Sequence, residues 1–279
     1  MDRRTLLTAG GAIAGLAASA VATAATAQTA QSGTPPVADV PPGSDAAARA
    51  PQAPQPVTPS SLPTESLHTD WPNLHRYHQA NADVASLPAA MRRVVMMGDS
   101  ITDNWAKPEY GSGFFEHNNL VGRGISGQIS AQMLVRFTPE VIALKPAVVH
   151  IMAGTNDVAE NQDPYDFVTT TGNLQAMVTL AKANGIRVVM ASVPPATSFS
   201  WRPYRGNQLD AIKTLNAWIK AQCAAQNLTY CDYWPVLQGP DGGLRPDLGY
   251  HGDSVHPGPA GYAVMAPVCL AAIAQALKG

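Results

Sequence analysis

Aromatic residues are missing from the first quarter of this 279-residue chain: no Phe, Trp or Tyr precedes Trp71. Residues 28–66 also hold nine of the chain's 24 prolines. Such a stretch cannot bury enough apolar surface to offset the entropy of ordering it, which excludes a packed core there. Charge is scarce as well. Charged residues make up 14% and the formal net charge is −2, so there is no basic field to hold nucleic acid or an anionic membrane surface. Cysteine is limited to Cys223, Cys231 and Cys269, with no CxxC pair and distant ligands of the kind a structural zinc needs. His75 and His78 form an H-x-x-H without an acid cluster beside it, which argues against a metal site there. Cys223 and Cys231 are near enough in sequence to close a small loop, and geometry alone decides whether they form a disulfide. Cys269 falls on the apolar face of the last helical pattern and reads as a core thiol.

What the N-terminus does contain is a processing signature. Arg3–Arg4 precede an uncharged stretch from Leu6 to Ala22, followed by the small-x-small sequence Ala25-Thr26-Ala27. These features predict a signal peptide over Met1–Ala27, and the paired arginines before a mild, Ala/Gly-rich segment suggest the twin-arginine type. Alanine and glycine contribute little transfer energy, so a retained span is not expected. Residues 28–67 read as a disordered linker and 68–279 as one folded domain. The expected location is therefore outside the cytoplasm, periplasmic or secreted, with no stable membrane anchor after cleavage.

Within 68–279 short apolar runs alternate with helical periodicity. Arg93–Met97, Leu120–Ile125, Ala147–Met152, Arg187–Val193 and Thr229–Tyr233 read as strands. Ser130–Leu144, Pro164–Asn184, Asn207–Gln226 and Pro259–Leu277 read as helices. Continuous apolar strands, each followed by a helix, predict a mainly parallel sheet covered on both faces, a three-layer α/β/α sandwich.

Sites in open parallel sheets form beyond the carboxyl ends of the strands. Gly98-Asp99-Ser100-Ile101 follows the first strand, Gly124-Ile125-Ser126-Gly127 the second, and Gly154-Thr155-Asn156-Asp157 the third. Asp253-Ser254-Val255-His256 precedes the last helix. A serine hydroxyl needs a base to become a nucleophile. His256 can take the proton of Ser100, and Asp253, three residues earlier, can fix the imidazole tautomer better than the more distant Asp247. The negative charge that develops on an attacked carbonyl needs fixed donors. The backbone N–H groups of Ser100 and Gly127 and the Asn156 side-chain amide supply three.

These four blocks, in this order, resemble those of the SGNH hydrolases, also called GDSL esterases/lipases, over about Arg92 to Leu277. The resemblance implies a flavodoxin-like fold and ester hydrolysis with Ser100 as nucleophile. It makes Gly127 and Asn156 oxyanion donors and His256 the base oriented by Asp253, and it implies no metal or organic cofactor. Ile101 replaces the leucine of the family's name without touching the chemistry. Ser100 taken alone reads equally as a helix N-cap; Asp99 braces the turn that Gly98 opens; Asp157 reads as an Asx-turn residue. His150 reads as a core histidine, and Arg123 either binds a substrate anion or forms a structural ion pair.

The expected reaction is hydrolysis of a small-molecule or glycan ester. The acyl group is short, because no long apolar lid is evident, and carbohydrate O-acetyl esters lead as substrates. A general carboxylesterase, arylesterase or lysophospholipase-like lipase is the alternative within the class. A catalytically silent carbohydrate-binding protein on the same fold is the alternative outside it. Trp105, Val158 and Trp201 are the candidate substrate contacts, with Trp105 and Trp201 as aromatic platforms or ordinary packing.

Overall fold

The five apolar runs pair in one parallel sheet in the computed structural model, which describes residues 70–278. The expected signal peptide and linker lie outside the described residues. The strands are β1 (Val94–Gly98), β2 (Leu120–Gly124), β3 (Val148–Met152), β4 (Arg187–Ala191) and β5 (Thr229–Cys231), in the spatial order β2-β1-β3-β4-β5. The helices that matter here are α1 (His78–Ser86), α2 (Ser100–Trp105), α3 (Ser130–Phe137), α4 (Thr155–Val158), α5 (Phe167–Ala183), α6 (Leu209–Gln226) and α7 (Pro259–Lys278).

Both faces of the sheet are covered, so the strands are apolar on both sides rather than alternating. Val95 and Met97 of β1 join a core with Met133 and Phe137 of α3, Leu174 and Met177 of α5, and Ile212 and Leu215 of α6. Val94 and Met96 point the other way, into a second core with Ile101 and Trp105 of α2 and Met265, Cys269 and Ile273 of α7. Helix α7 is long and apolar enough to cross a membrane by composition alone, yet its Tyr262, Met265, Cys269 and Ile273 are buried within this second core. The architecture is the predicted three-layer sandwich.

The helical pattern from Ser130 to Leu144 is not one helix: the α-helix stops at Phe137 and a π-turn runs over Thr138–Ile142. Pro139 has no N–H to donate, so the ladder cannot continue in α geometry. The wider turn closes through Ala143 N–H to Thr138 O at 2.9 Å and leaves Glu140 buried beside Arg136. The three cysteines are free, buried thiols. Cys223 Sγ faces the carbonyl of Thr229 and Cys231 Sγ that of Val268, so the two side chains do not meet.

The register sets up the site. Gly98 lies opposite both Gly124 and Met152, so β1, β2 and β3 end level. Helix α2 sits directly on this edge. A Cβ on Gly98 would lie 2.0 Å from Thr102 Oγ1, and one on Gly124 would lie 2.1 Å from the Asp103 backbone nitrogen. Close approach, rather than a sharp turn, is thus what requires glycine at position 98.

Candidate active site

Ser100 opens α2, but it does not cap it. Asp99 is the N-cap, its carboxylate accepting the Ile101 N–H at 2.9 Å. That frees the Ser100 hydroxyl, whose Oγ lies 2.9 Å from His256 Nε2. His256 Nδ1 lies 2.8 Å from Asp253 Oδ2, while Asp253 Oδ1 accepts the N–H groups of Val255 (2.7 Å) and His256 (3.1 Å). The loop therefore aims its own carboxylate at its own histidine. Burial works to raise the Asp253 carboxyl, but the His256 imidazole and the two amides hold it below its ordinary value. Asp247 is exposed and paired with Arg245, away from this chain of contacts. Asp99 is fully buried, and burial pushes its carboxyl up to about 6 against the pull of the Ile101 amide.

Facing Ser100 are the ends of β2 and β3. Gly127 has φ of 80°, the left-handed region that glycine enters without strain, and it follows β2 in the loop to α3. Asn156 is buried in the first turn of α4. Its Nδ2 donates to Gln128 O at 3.0 Å, and its Oδ1 accepts from Asn161 Nδ2 at 2.7 Å. The amide is thus fixed in orientation, with one N–H left over. Asn161 is the hub. Its Nδ2 also reaches Gly127 O (3.2 Å), and its Oδ1 accepts the Trp201 indole N–H at 2.7 Å. The Trp201 ring lies 5.7 Å from the His256 ring. A cavity of about 330 Å³ opens between Ser100, Gly127, Asn156, Asn161, Trp201 and His256. Chemically, the arrangement offers a hydroxyl next to a base, an acid holding that base, and neutral donors across a gap.

Ser100, Gly127, Asn156, Trp201 and His256 are therefore brought together, with Asp253 behind His256. Two candidate contacts are not. Trp105 is 1% exposed and lies between the rings of Phe114 (4.8 Å) and Tyr262 (5.2 Å), inside the core under α7. Val158 is fully buried in the opposite core. Both follow a catalytic loop by only two to five residues, but the helical turns α2 and α4 rotate them inward. Arg123 neither meets the cavity nor forms an ion pair. It is buried, donates to Asn81 Oδ1 at 2.9 Å and lies over the Tyr77 ring. Asp157 is not an Asx turn; it accepts the N–H and hydroxyl of Ser130 and so ties α4 to the start of α3. His150 is buried, with Nε2 2.9 Å from the Tyr233 hydroxyl and Nδ1 without a partner, and burial lowers it to about 4.

Sequence reasoning placed Asn161 in the polar run Glu160–Asp163 at the same edge, suited to a hydroxylated substrate, but not as a hub, and it missed Arg136. Arg136 is fully buried, donates to Gly98 O and Arg123 O at 2.8 Å each, and pairs with Glu140. It thereby holds the carbonyls that end β1 and β2. Among the described residues no group of three or more His, Cys, Asp or Glu side chains could hold a metal ion.

The model of the GDSL-like lipase/acylhydrolase family matches residues 96–264. A GDSL-like lipase from Bacteroides thetaiotaomicron VPI-5482 is 41% identical, with a TM-score of 0.69, over 74% of this chain and 98% of its own. A protein from Bacteroides fragilis NCTC 9343 assigned as an acylhydrolase is also 41% identical, with a TM-score of 0.70 over the same shares. An acetylxylan esterase from Geobacillus stearothermophilus, at 22% identity, shares the fold with a TM-score of 0.52 over 65% of this chain and 94% of its own. No curated protein matches at a significant level.

Proposed function

The chain belongs to the GDSL-like lipase/acylhydrolase family and is a carboxylic ester hydrolase; from that premise we propose that it removes short acyl groups, above all acetyl, from hydroxylated substrates of the carbohydrate class. Ser100 Oγ attacks the ester carbonyl as His256 Nε2 takes its proton, and Asp253 stabilises the resulting imidazolium. The oxyanion is met by the N–H groups of Ser100 and Gly127 and by the remaining Asn156 amide N–H. Collapse expels the alcohol, which leaves with the proton from Nε2, and the acyl group stays on Ser100. Water then gives a proton to His256 and attacks the acyl carbon, which releases the carboxylic acid and returns the proton to Ser100.

The observation that carries the short-acyl, hydroxylated reading is the lining of the cavity over Ser100. Asn104, Ser126, Asn156 and Asn161 surround it, and Trp201 is its one large apolar wall. Phe199 is buried beneath Trp201 and Tyr204 stands exposed, so they do not add a second apolar wall there. A long alkyl chain would need a continuous apolar groove, in which each buried CH₂ adds about 0.8 kcal/mol. The acetylxylan esterase on the same fold is in keeping with this choice. A series of p-nitrophenyl esters tests it. The expected kcat/KM is highest for acetate and falls toward octanoate, and a climb toward octanoate sends the enzyme to the lipases instead. A fluorophosphonate probe should label the wild type and not Ser100→Ala. Action outside the cytoplasm, on the strength of the N-terminal signature, belongs to the same proposal; fractionation of expressing cells tests it.

A further inference from the structure

A second cavity of about 580 Å³ adjoins the one over Ser100, and Ser126, Gly127, Asn161 and Trp201 line both. Its volume lies in the range of ~300–1,000 Å³ usual for small-ligand sites. Two tryptophans stand in its walls. Trp201 is 37% exposed and Trp71 39%. Asn73 and Gln162 also line this cavity, with Asp70 and Arg202 contributing one charge of each sign.

Trp71 belongs to a stretch without regular structure, yet it is held in place. Gln132 Nε2 donates to the Trp71 carbonyl at 2.8 Å, and Gln128 Nε2 donates to the Pro72 carbonyl at 2.6 Å. Both glutamines are more than nine-tenths buried. Their other ends are engaged too: Gln132 Oε1 accepts the Ile129 N–H and Gln128 Oε1 accepts from Arg136. On the far side, Asp70 accepts the N–H groups of Leu74 (2.6 Å) and His75 (3.0 Å). The loop that supplies Gly127 and the segment that supplies Trp71 are therefore one hydrogen-bonded body. Buried amide side chains thus hold the backbone of Trp71 and leave its large aromatic ring part-exposed in the wall of the cavity that adjoins the catalytic one.

Building on the carbohydrate-ester reading, we propose that this cleft is the subsite for the sugar units attached to the alcohol side of the scissile ester, with Trp71 and Trp201 as stacking faces. An acetyl group needs only the small cavity at Ser100, so the larger cleft takes the rest of the substrate. Aromatic faces pack on the C–H faces of sugar rings, and amide side chains bond their hydroxyls. One acidic and one basic side chain, Asp70 and Arg202, line the cleft and leave no net attraction for an anion, so the ligand is a neutral glycan rather than a charged headgroup.

The test compares O-acetylated xylose with O-acetylated xylotriose, alongside p-nitrophenyl acetate. The wild type should turn over the trisaccharide with the higher kcat/KM, and unacetylated xylotriose should inhibit p-nitrophenyl acetate hydrolysis competitively. Trp71→Ala should lower the trisaccharide kcat/KM by about threefold to tenfold, a larger fall than for p-nitrophenyl acetate, and Trp71→Tyr should restore most of it. Equal turnover of the mono- and trisaccharide esters with no inhibition by xylotriose overturns the subsite while leaving the carbohydrate reading intact. If neither sugar ester is hydrolysed while p-nitrophenyl acetate is, the carbohydrate reading itself fails and the subsite with it. The inhibition measurement needs only wild-type enzyme, so the outcome does not depend on the variants folding.

Discussion

Asn161 touches no reacting atom in the proposed mechanism, yet Asn161→Asp should cost almost as much as losing an oxyanion donor. Its Nδ2 holds Asn156 Oδ1 at 2.7 Å and Gly127 O at 3.2 Å. Asn161→Ala deletes that donor and also the acceptor of the Trp201 indole at 2.7 Å. A neutral hydrogen bond contributes about 0.5–1.5 kcal/mol net. Loosening Asn156 by one such bond should lower kcat on p-nitrophenyl acetate by about threefold to tenfold. Asn161→Asp is nearly isosteric but places a carboxylate against two oxygens. Asn156 should then turn its amide over to escape, presenting its oxygen to the oxyanion. The loss should approach that of Asn156→Ala, about 10²–10³ in kcat with little change in KM. The two residues act through one donor, so Asn156→Ala/Asn161→Asp should be hardly slower than Asn156→Ala alone. Steady-state kinetics on the wild type and the four variants decides it. Wild-type kcat in Asn161→Asp, or additive losses in the double variant, would refute the coupling.

Two further outcomes concern stability. Burial raises the carboxyl of Asp99 in the folded protein to about 6, above the ordinary aspartate value of 3.8. The folded protein therefore keeps a proton that the unfolded chain releases. This stabilisation is present below about pH 4 and is lost as pH rises through about 6, an effect on the order of 3 kcal/mol. In Asp99→Asn, whose amide oxygen can still accept the Ile101 N–H, urea midpoints should lose that slope, and an unchanged slope would assign it to another group. Arg136→Ala should cost about 3–5 kcal/mol because it strands Glu140 as a buried, unpaired acid. Adding Glu140→Ala should recover part of it, and chemical denaturation of both variants in comparison with the wild type reads the difference.

The sheet was legible because each strand is buried on both faces and so appears as an unbroken apolar run. That Ser100, Gly127, Asn156 and His256 would meet could be read because level strand ends in a parallel sheet deliver loops to one edge, and these loops carry small or polar groups out of keeping with mere turns. What escaped is what depends on rotation about a helix axis. Trp105 and Val158 lie within a turn or so of Ser100 and Asn156, and nothing in their spacing says that they face inward. Arg136 and Glu140 stand four apart, a spacing that reads as a solvated surface pair. Only Pro139 hinted otherwise, and its effect is visible once the π-turn brings Glu140 inside. Asn161 could be placed at the site's edge but not as its hub, because Gly127 and Trp201, which it joins to Asn156, come from loops distant in the chain.

Ser100 and His256 meet at 2.9 Å across a sequence separation of 156 residues. Ser100, the proposed nucleophile, emerges early in synthesis, and His256, its proposed base, only after every strand of the sheet. Contacts of such long range form late, because the loop they close must be ordered first. A chain halted before Asp253 carries a serine, an oxyanion loop and most of a core, but no group to take the proton. Collapse, strand pairing and helix formation can all precede the first turnover. In a refolding experiment, tryptophan fluorescence should therefore recover ahead of esterase activity, and activity should appear with the docking of α7 and the loop in front of it. The same order leaves incomplete chains unable to attack esters while they are still being made.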